Sequence, residues 1–234
     1  MGACGHSKES WTLAMHIAAQ EGDVAALNKM MESSGSVNKV DGQGATPLWV
    51  AAEAGQLGSV KALLLHGAAV GLAAADGRTA LHVSTEHAGV APAVIKLLLE
   101  AKANVEAVDE WGATALGGAA RGGQLMAIGL LLEAKANLMC ADQHRKTPLH
   151  HASESGATAA VELLLEAKAD VDCRDACGCT PLFLASGRGE VEVVQRLLSA
   201  SALDLVDACG VTAQAAAEAG GHSRVALLLA KHAF

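Results

Sequence analysis

Hydrophobic and polar positions follow a repeating pattern along the chain, and its clearest marker is the segment Thr-Pro-Leu. The marker begins at Thr46, Thr147 and Thr180. Looser copies begin at Leu13, Thr79, Thr114 and Thr212, so that successive copies start 32 to 35 residues apart. A unit of this length cannot bury its apolar side alone, so the repetition predicts stacked units that share a continuous core.

Each repeat is predicted to form a helix, a turn and a second helix. Thr is a good helix N-cap and Pro is tolerated at the first helical position, so the marker starts a helix of about two turns. A Gly nine residues later, such as Gly55, ends it. Apolar residues at helical spacing, such as Val60, Leu63 and Leu64, then predict a second helix. A turn rich in Asp and Gly leads to the next repeat.

Seven such repeats are expected after an N-terminal tail at residues 1–7. They form one predicted domain over residues 8–234. Its expected units are 8–40, 41–73, 74–108, 109–141, 142–174, 175–206 and 207–234.

Several columns of residues keep the same register as the marker, and together they resemble the ankyrin repeat. Asp stands five residues before the marker, as at Asp142, and Gly two residues before it, as at Gly44. The resemblance covers residues 8–234. It implies an all-α ankyrin-repeat solenoid of stacked helix-turn-helix units joined by β-hairpin or turn loops. It also implies a concave face of loop tips and first helices that binds other proteins.

The chain departs from the family where the second helix ends. The family commonly has Gly there, but repeats three, four and five have Lys102, Lys135 and Lys168. If the backbone is left-handed at this position, a residue other than Gly costs roughly 1 kcal/mol. We therefore expect Lys168→Gly to raise the melting temperature.

Composition favours closely packed helices and a protein partner. Tyr is absent, Phe occurs twice and Trp three times, so the core must consist mainly of Leu, Val and Ala. The net charge of -8 is unlike that of a nucleic-acid-binding surface. No segment resembles a membrane span or a signal peptide, so we expect a cytoplasmic or nuclear protein that is monomeric alone. We expect no cofactor and no enzymatic activity, since the chain offers no catalytic constellation.

The family resemblance also indicates which positions face a partner, namely those four, three and one residues before the marker and seven and eight after it. In the central repeats the expected partner-binding residues are Arg78, Glu86, His87, Glu110, Trp111, Arg121, Gln143, His144, Lys146 and Glu154. Trp111 falls at a loop tip, where an exposed Trp near arginines is typical of a binding hot spot. The alternative is a surface aromatic that folds back on its neighbours.

Other residues at the marker suggest structural roles. His16, His82 and His150 occupy the position where the family uses His to tie successive loops together, and this role is preferred to catalysis or metal binding. Trp49 stands in the same column and is expected only to pack.

Two alternative functions remain open at this stage. Cys173, Cys177 and Cys179 lie close together in sequence and suggest a thiol-redox or metal-binding protein, although no Cys-x2-Cys pair is present. Gly2 and Cys4 suggest an N-terminally acylated, membrane-associated scaffold. The match to the acylation pattern is imperfect, because His6 occupies the position that should be Ser or Thr.

Overall fold

A computed structural model describes residues 8–33, 36–86 and 91–232, with side chains from residue 11 onward. The chain divides into two compact units, Met1–Glu110 and Trp111–Phe234. Gly2, Cys4 and His87 lie outside the described residues.

Three helix pairs form the first unit. They are α1 (Lys8–Glu21) and α2 (Val24–Glu32), α3 (Pro47–Glu53) and α4 (Leu57–Leu65), and α5 (Ala80–Glu86) and α6 (Pro92–Glu100). The first helix of each pair packs on the next first helix, α1 on α3 and α3 on α5.

Four helix pairs form the second unit. They are α7 (Ala115–Arg121) and α8 (Leu125–Glu133), α9 (Pro148–Glu154) and α10 (Thr158–Glu166), α11 (Pro181–Arg188) and α12 (Val191–Ser199), and α13 (Ala213–Ala219) and α14 (Ser223–His232). Here too the first helices stack in order, α7 on α9, α9 on α11 and α11 on α13.

The predicted fold class is confirmed. In the described ranges the regular structure is helical, and an isolated β-bridge joins Ala73 and Thr79. The loops expected as β-hairpins or turns are therefore tight turns that do not extend into strands. No helix in the described part of the chain is long and apolar enough to cross a membrane.

The marker threonines start the first helices as predicted. Thr46, Thr180 and Thr212 each accept a hydrogen bond from the backbone N–H three residues later, at distances of 3.1 to 3.2 Å. At Thr147 the cap is reciprocal, because the ring of His150 also accepts the Thr147 N–H. An N-cap of this kind stabilises a helix by about 1 kcal/mol.

The marker leucines form the centre of the core. Leu48 and Leu81 in the first unit, and Leu116, Leu149 and Leu182 in the second, are at most 1% exposed. Burying one such side chain contributes about 1.5–3 kcal/mol. Alanines beside them, such as Ala51 and Ala119, are also fully buried, which lets the stacked helices approach closely.

A hydrogen bond from the fourth marker residue joins each of three repeats to the loop of the next. The Nε2 atoms of His16 and His150 lie 2.9 and 3.1 Å from the carbonyl oxygens of Ala45 and Cys179. Because the His150 Nδ1 accepts the N–H of Thr147, its Nε2 carries the proton and donates to Cys179. Burial lowers the pKa of His150, which favours this neutral form. The predicted structural role of these two histidines is confirmed.

Trp49 occupies the same column, and the expectation that it only packs was wrong. Its indole Nε1–H donates to the carbonyl oxygen of Arg78 at 3.0 Å, the equivalent of the bonds at His16 and His150. The indole therefore replaces the imidazole as the donor between repeats, while its ring remains buried. The Nδ1 of His82 accepts the N–H of Thr79, as the Nδ1 of His150 accepts that of Thr147.

The backbone is left-handed at the three lysines that replace Gly, as expected. Lys102, Lys135 and Lys168 have φ angles of 65°, 64° and 70°. Gly67 occupies the equivalent position in repeat two and has a φ of 81°. The lysines end helices whose terminal carbonyls favour a cation, which offsets part of the backbone cost.

Replacing Trp49 tests the hydrogen bond between repeats. Trp49→Phe keeps an aromatic ring but removes the N–H donor, which leaves the Arg78 carbonyl without this bond. We expect the free energy of unfolding in urea to fall by about 1–3 kcal/mol. Trp111→Phe is the matched control at an exposed position, where we expect a change within about 0.5 kcal/mol. Equal effects of the two substitutions would contradict the role of the indole donor.

Replacing Lys168 tests the left-handed position. We expect Lys168→Gly to raise the melting temperature by about 1–3 °C, because relief of the backbone strain exceeds the added chain entropy of Gly. Lys96→Gly, at an exposed position inside α6, should instead lower it by about 2–4 °C. The measurement is differential scanning calorimetry. An unchanged or lower value for Lys168→Gly would refute the strain argument.

Candidate functional site

Five-residue loops, here named fingers, precede the marker in repeats two to seven. They span residues 41–45, 74–78, 109–113, 142–146, 175–179 and 207–211. In five of them the N–H of the first residue donates to the carbonyl of the fifth, at 2.9 to 3.1 Å. This bond closes the turn and projects the three middle residues of the finger as its tip.

The aspartate at the first position of most fingers accepts hydrogen bonds from the backbone of its own loop. In the second unit, Asp142, Asp175 and Asp207 each accept the backbone N–H groups two and four residues ahead, at 2.8 to 2.9 Å. The other carboxylate oxygen of Asp142 lies 3.2 Å from Nε2 of His151. Since these carboxylates satisfy their own loops, they present little acidic surface to a partner.

Neighbouring fingers are held together by a single backbone hydrogen bond. In the second unit, the N–H groups of Gln143, Ala176 and Ala208 donate to Trp111, His144 and Cys177, at 2.8 to 2.9 Å. In the first unit, Ala75 donates to Gln43 and Glu110 donates to Asp76, both at 2.9 Å. The finger tips of each unit thus stand in a fixed row.

Trp111 opens the row of the second unit and is 53% exposed. Gln143 and His144, at the tip of the next finger, are also exposed. A side chain as large and apolar as indole is unusual at such a tip. The predicted exposure of Trp111 is confirmed, and its role as a binding hot spot stays a prediction.

An ion-pair network lies beside these tips in the second unit. Glu154, at the end of α9, binds Nζ of Lys146 at 2.5 Å and Nη2 of Arg188 at 2.8 Å. Partial burial acts to raise the pKa of Glu154, but the hydrogen bonds from Lys146 and Arg188 outweigh it and lower the pKa. Two of the predicted partner-binding residues are therefore paired with each other.

The first unit repeats this arrangement at the equivalent positions. Arg78 binds Glu86 at 2.7 Å, and its Nε also binds Asp76 at 2.7 Å. Burial acts to raise the pKa of Asp76, yet the hydrogen bonds from Arg78 lower it overall. In both units the base lies one residue before the marker and the acid seven after it. Such partly exposed pairs contribute little stability and mainly fix side-chain positions.

The remaining predicted residues are distributed over both units. Glu110 is exposed at the end of the first unit, whereas Arg121 is exposed at the end of α7 in the second. Burial lowers the pKa of His151, and the nearby charge of Arg121 lowers it further. His87 lies outside the described residues. Trp111, Arg121, Gln143, His144, Lys146 and Glu154 share the second unit.

Two further residues of the second unit belong beside the predicted central set. Arg188 completes the network around Glu154, and it holds the position eight residues after the marker that the family resemblance assigns to the partner-facing side. Arg145 is exposed in the finger at residues 142–146 and has a φ of 57°. The equivalent residue is Gly in the other five fingers, so a break in the Gly column was the available signal.

The three clustered cysteines have different surroundings. Cys173 and Cys179 are buried, and burial raises the pKa of each thiol to about 11, so both remain protonated near neutral pH. Sγ of Cys173 lies 3.4 Å from the Thr147 hydroxyl. Cys177 is exposed at a finger tip. Within the described residues, no three His, Cys, Asp or Glu side chains are grouped as a metal site requires.

Comparison with known proteins agrees with this architecture. A family profile described as ankyrin repeats (3 copies) matches residues 15–109 and 86–175, and one described as ankyrin repeat matches 177–209. No curated protein sequence matches the chain.

Two solved structures are similar over nearly the whole chain. The human ASB11 ankyrin repeat domain has 29% sequence identity and a TM-score of 0.82, with 92% of this chain and 96% of that chain covered. The ankyrin repeat domain of Bcl-3, described as a unique member of the IkappaB protein family, has 27% identity and a TM-score of 0.79. That similarity covers 93% of this chain and 97% of the Bcl-3 chain. With its repeats, finger loops and family matches in agreement, the chain belongs to the ankyrin-repeat family.

Proposed function

We propose that this chain is a non-catalytic module that binds a partner protein through the finger tips and first helices of its second unit. Ankyrin repeats are generally protein–protein interaction modules, and in this family the corresponding side is the concave face. The chain would act as an adaptor, scaffold or inhibitor, and any catalysis would belong to its partner.

The exposure of Trp111 carries this proposal. Burying the half-exposed indole against a partner would remove a large apolar surface from water, and Trp is among the residues that dominate binding energy at interfaces. The backbone bond from Gln143 to the Trp111 carbonyl fixes the tip that presents it. A partner would therefore meet an anchor whose backbone is already ordered, which lowers the entropy lost on binding.

The network around Glu154 supports the same surface. Lys146 and Arg188 each bind one oxygen of the Glu154 carboxylate. This carboxylate therefore fixes the direction in which their remaining N–H groups point. Such groups suit the polar rim of an interface, where they contribute specificity more than affinity. Gln143 and His144 add neutral hydrogen-bonding groups at the adjacent tip.

Affinity capture from native lysate tests the proposal. We expect Trp111→Ala to reduce the recovery of at least one partner by tenfold or more, since a hot-spot residue contributes about 2 kcal/mol or more. Quantitative mass spectrometry of the captured proteins, beside wild type, measures the loss.

Met126→Ala is the matched control. Met126 belongs to the same repeat as Trp111 and is 65% exposed on α8. Its replacement by Ala therefore removes a comparable apolar surface at a position away from the fingers. We expect it to leave recovery unchanged, and circular dichroism should show native helix content for both variants. Equal recovery of every partner by wild type and Trp111→Ala would refute the proposed surface.

A further inference from the structure

A groove of about 280 Å³ in the second unit is lined by residues of two successive loop segments, 139–147 and 170–174, the first of which includes the fourth finger, 142–146. Met139 and Ala141 contribute apolar lining, and Arg145, Asp170 and Arg174 contribute charge. Its volume is at the small end for a ligand pocket and suits a single side chain rather than a whole peptide.

Arg145 adopts a backbone conformation that the other five fingers give to Gly. The equivalent residues of the other fingers are Gly44, Gly77, Gly112, Gly178 and Gly210, with φ angles of 77° to 80°. Arg145 has a φ of 57°, a left-handed conformation that disfavours a side chain with a Cβ atom. The arginine at this position is therefore present at a cost in stability.

That cost has no compensation within the described residues. Lys102, Lys135 and Lys168 are also left-handed, but each follows a helix end that favours a cation. Arg145 lies in a finger, where no helix ends. In the part of the chain that the structure describes, its guanidinium makes no hydrogen bond or ion pair, unlike those of Arg78, Arg188 and Arg196. Strain without an internal benefit is typical of residues kept for function.

The charges of the groove favour an anionic ligand. Arg174 uses one N–H group, Nη1, to bind the carbonyl oxygen of Val206 at 3.1 Å, which fixes its guanidinium while its other donors remain available. Asp170 is the acidic residue of the groove, and its Oδ1 accepts the N–H of Asp172. The lining thus contains two guanidinium groups and one carboxylate, on a chain that is acidic overall. The carboxylate of Asp172 also acts on Cys173, but it lies outside the lining and accepts the N–H of Leu203.

We propose that this groove binds an acidic side chain of a partner protein, with Arg145 and Arg174 as the carboxylate-binding residues. Guanidinium groups match carboxylates in shape and charge, and Met139 and Ala141 provide contact for the methylene groups of a glutamate. The inference rests on the proposed function in that the ligand is part of a protein, but it involves residues distinct from the Trp111 tip.

Binding of a fluorescein-labelled hexaglutamate peptide tests the groove, measured by fluorescence anisotropy at low ionic strength, where screening is weak. We expect Arg145→Gly to weaken binding by about tenfold and, at the same time, to raise the melting temperature. Arg174→Gln should also weaken it. Asp170→Asn should strengthen it by about twofold or more, because it removes the repelling carboxylate but keeps an acceptor for the Asp172 N–H.

Control variants separate this site from general electrostatics. Arg224→Gln removes an exposed arginine on α14, outside the groove, and should leave the affinity unchanged. Hexalysine should bind more weakly than hexaglutamate. The proposal is overturned if wild type does not bind hexaglutamate, if Arg145→Gly binds it as tightly as wild type does, or if Arg224→Gln loses as much affinity as Arg145→Gly.

The outcome is distinguishable from that of the proposed function. Trp111→Ala should leave hexaglutamate affinity unchanged, because Trp111 does not line the groove. If Arg145→Gly has no effect while Trp111→Ala abolishes capture of a partner, the groove is refuted and the tip surface is supported. If instead Arg145→Gly weakens hexaglutamate binding while Trp111→Ala leaves the capture of every partner unchanged, the groove is supported and the tip surface is refuted.

Discussion

Burial of each helix pair against its neighbours is the constraint on which each unit depends. A pair of helices of seven to fourteen residues has no core of its own, so its marker leucine becomes buried only when the next pair stacks on it. Two hydrogen bonds set the register of that stacking. One joins a buried imidazole or indole to the following loop, and the other joins neighbouring finger backbones. The backbone of each finger tip is therefore fixed by the stacked helices, and the side chains at the tip are not needed for stacking.

The separation between scaffold residues and finger-tip residues explains where functional side chains can occur. The core consists mainly of Leu, Val and Ala, and the finger aspartates form hydrogen bonds within their own loops. The side chains in the middle of a finger neither pack in the core nor close the loop. Trp111 and Arg145 can therefore stand there, although Trp111 exposes an apolar ring and Arg145 strains the backbone. Both features reduce stability or solubility locally, and binding by a partner would compensate for both.

Much of the fold was predictable because its causes are local. Thr caps, helix-ending glycines and the spacing of Leu act within one repeat, and repetition made each signal visible several times. The exposed Trp111 and the left-handed Lys168 were predictable for the same reason. The pairing of Lys146 with Glu154, and the donor role of Trp49, depend on where side chains meet across loops and repeats, which register alone does not determine. The role of Arg145 was not predictable in this way, because it occurs in one finger only and no repetition marks it.

Amide hydrogen exchange of the chain, alone and bound to a captured partner, tests the central claim most directly. Binding through the second unit's fingers predicts slower exchange at residues 111–113 and 142–146 and at the C-terminal turns of α7 and α9. Exchange in the second helices of the pairs, α8, α10 and α12, should be unchanged. Protection confined to these second helices, or to the first unit, would contradict the account.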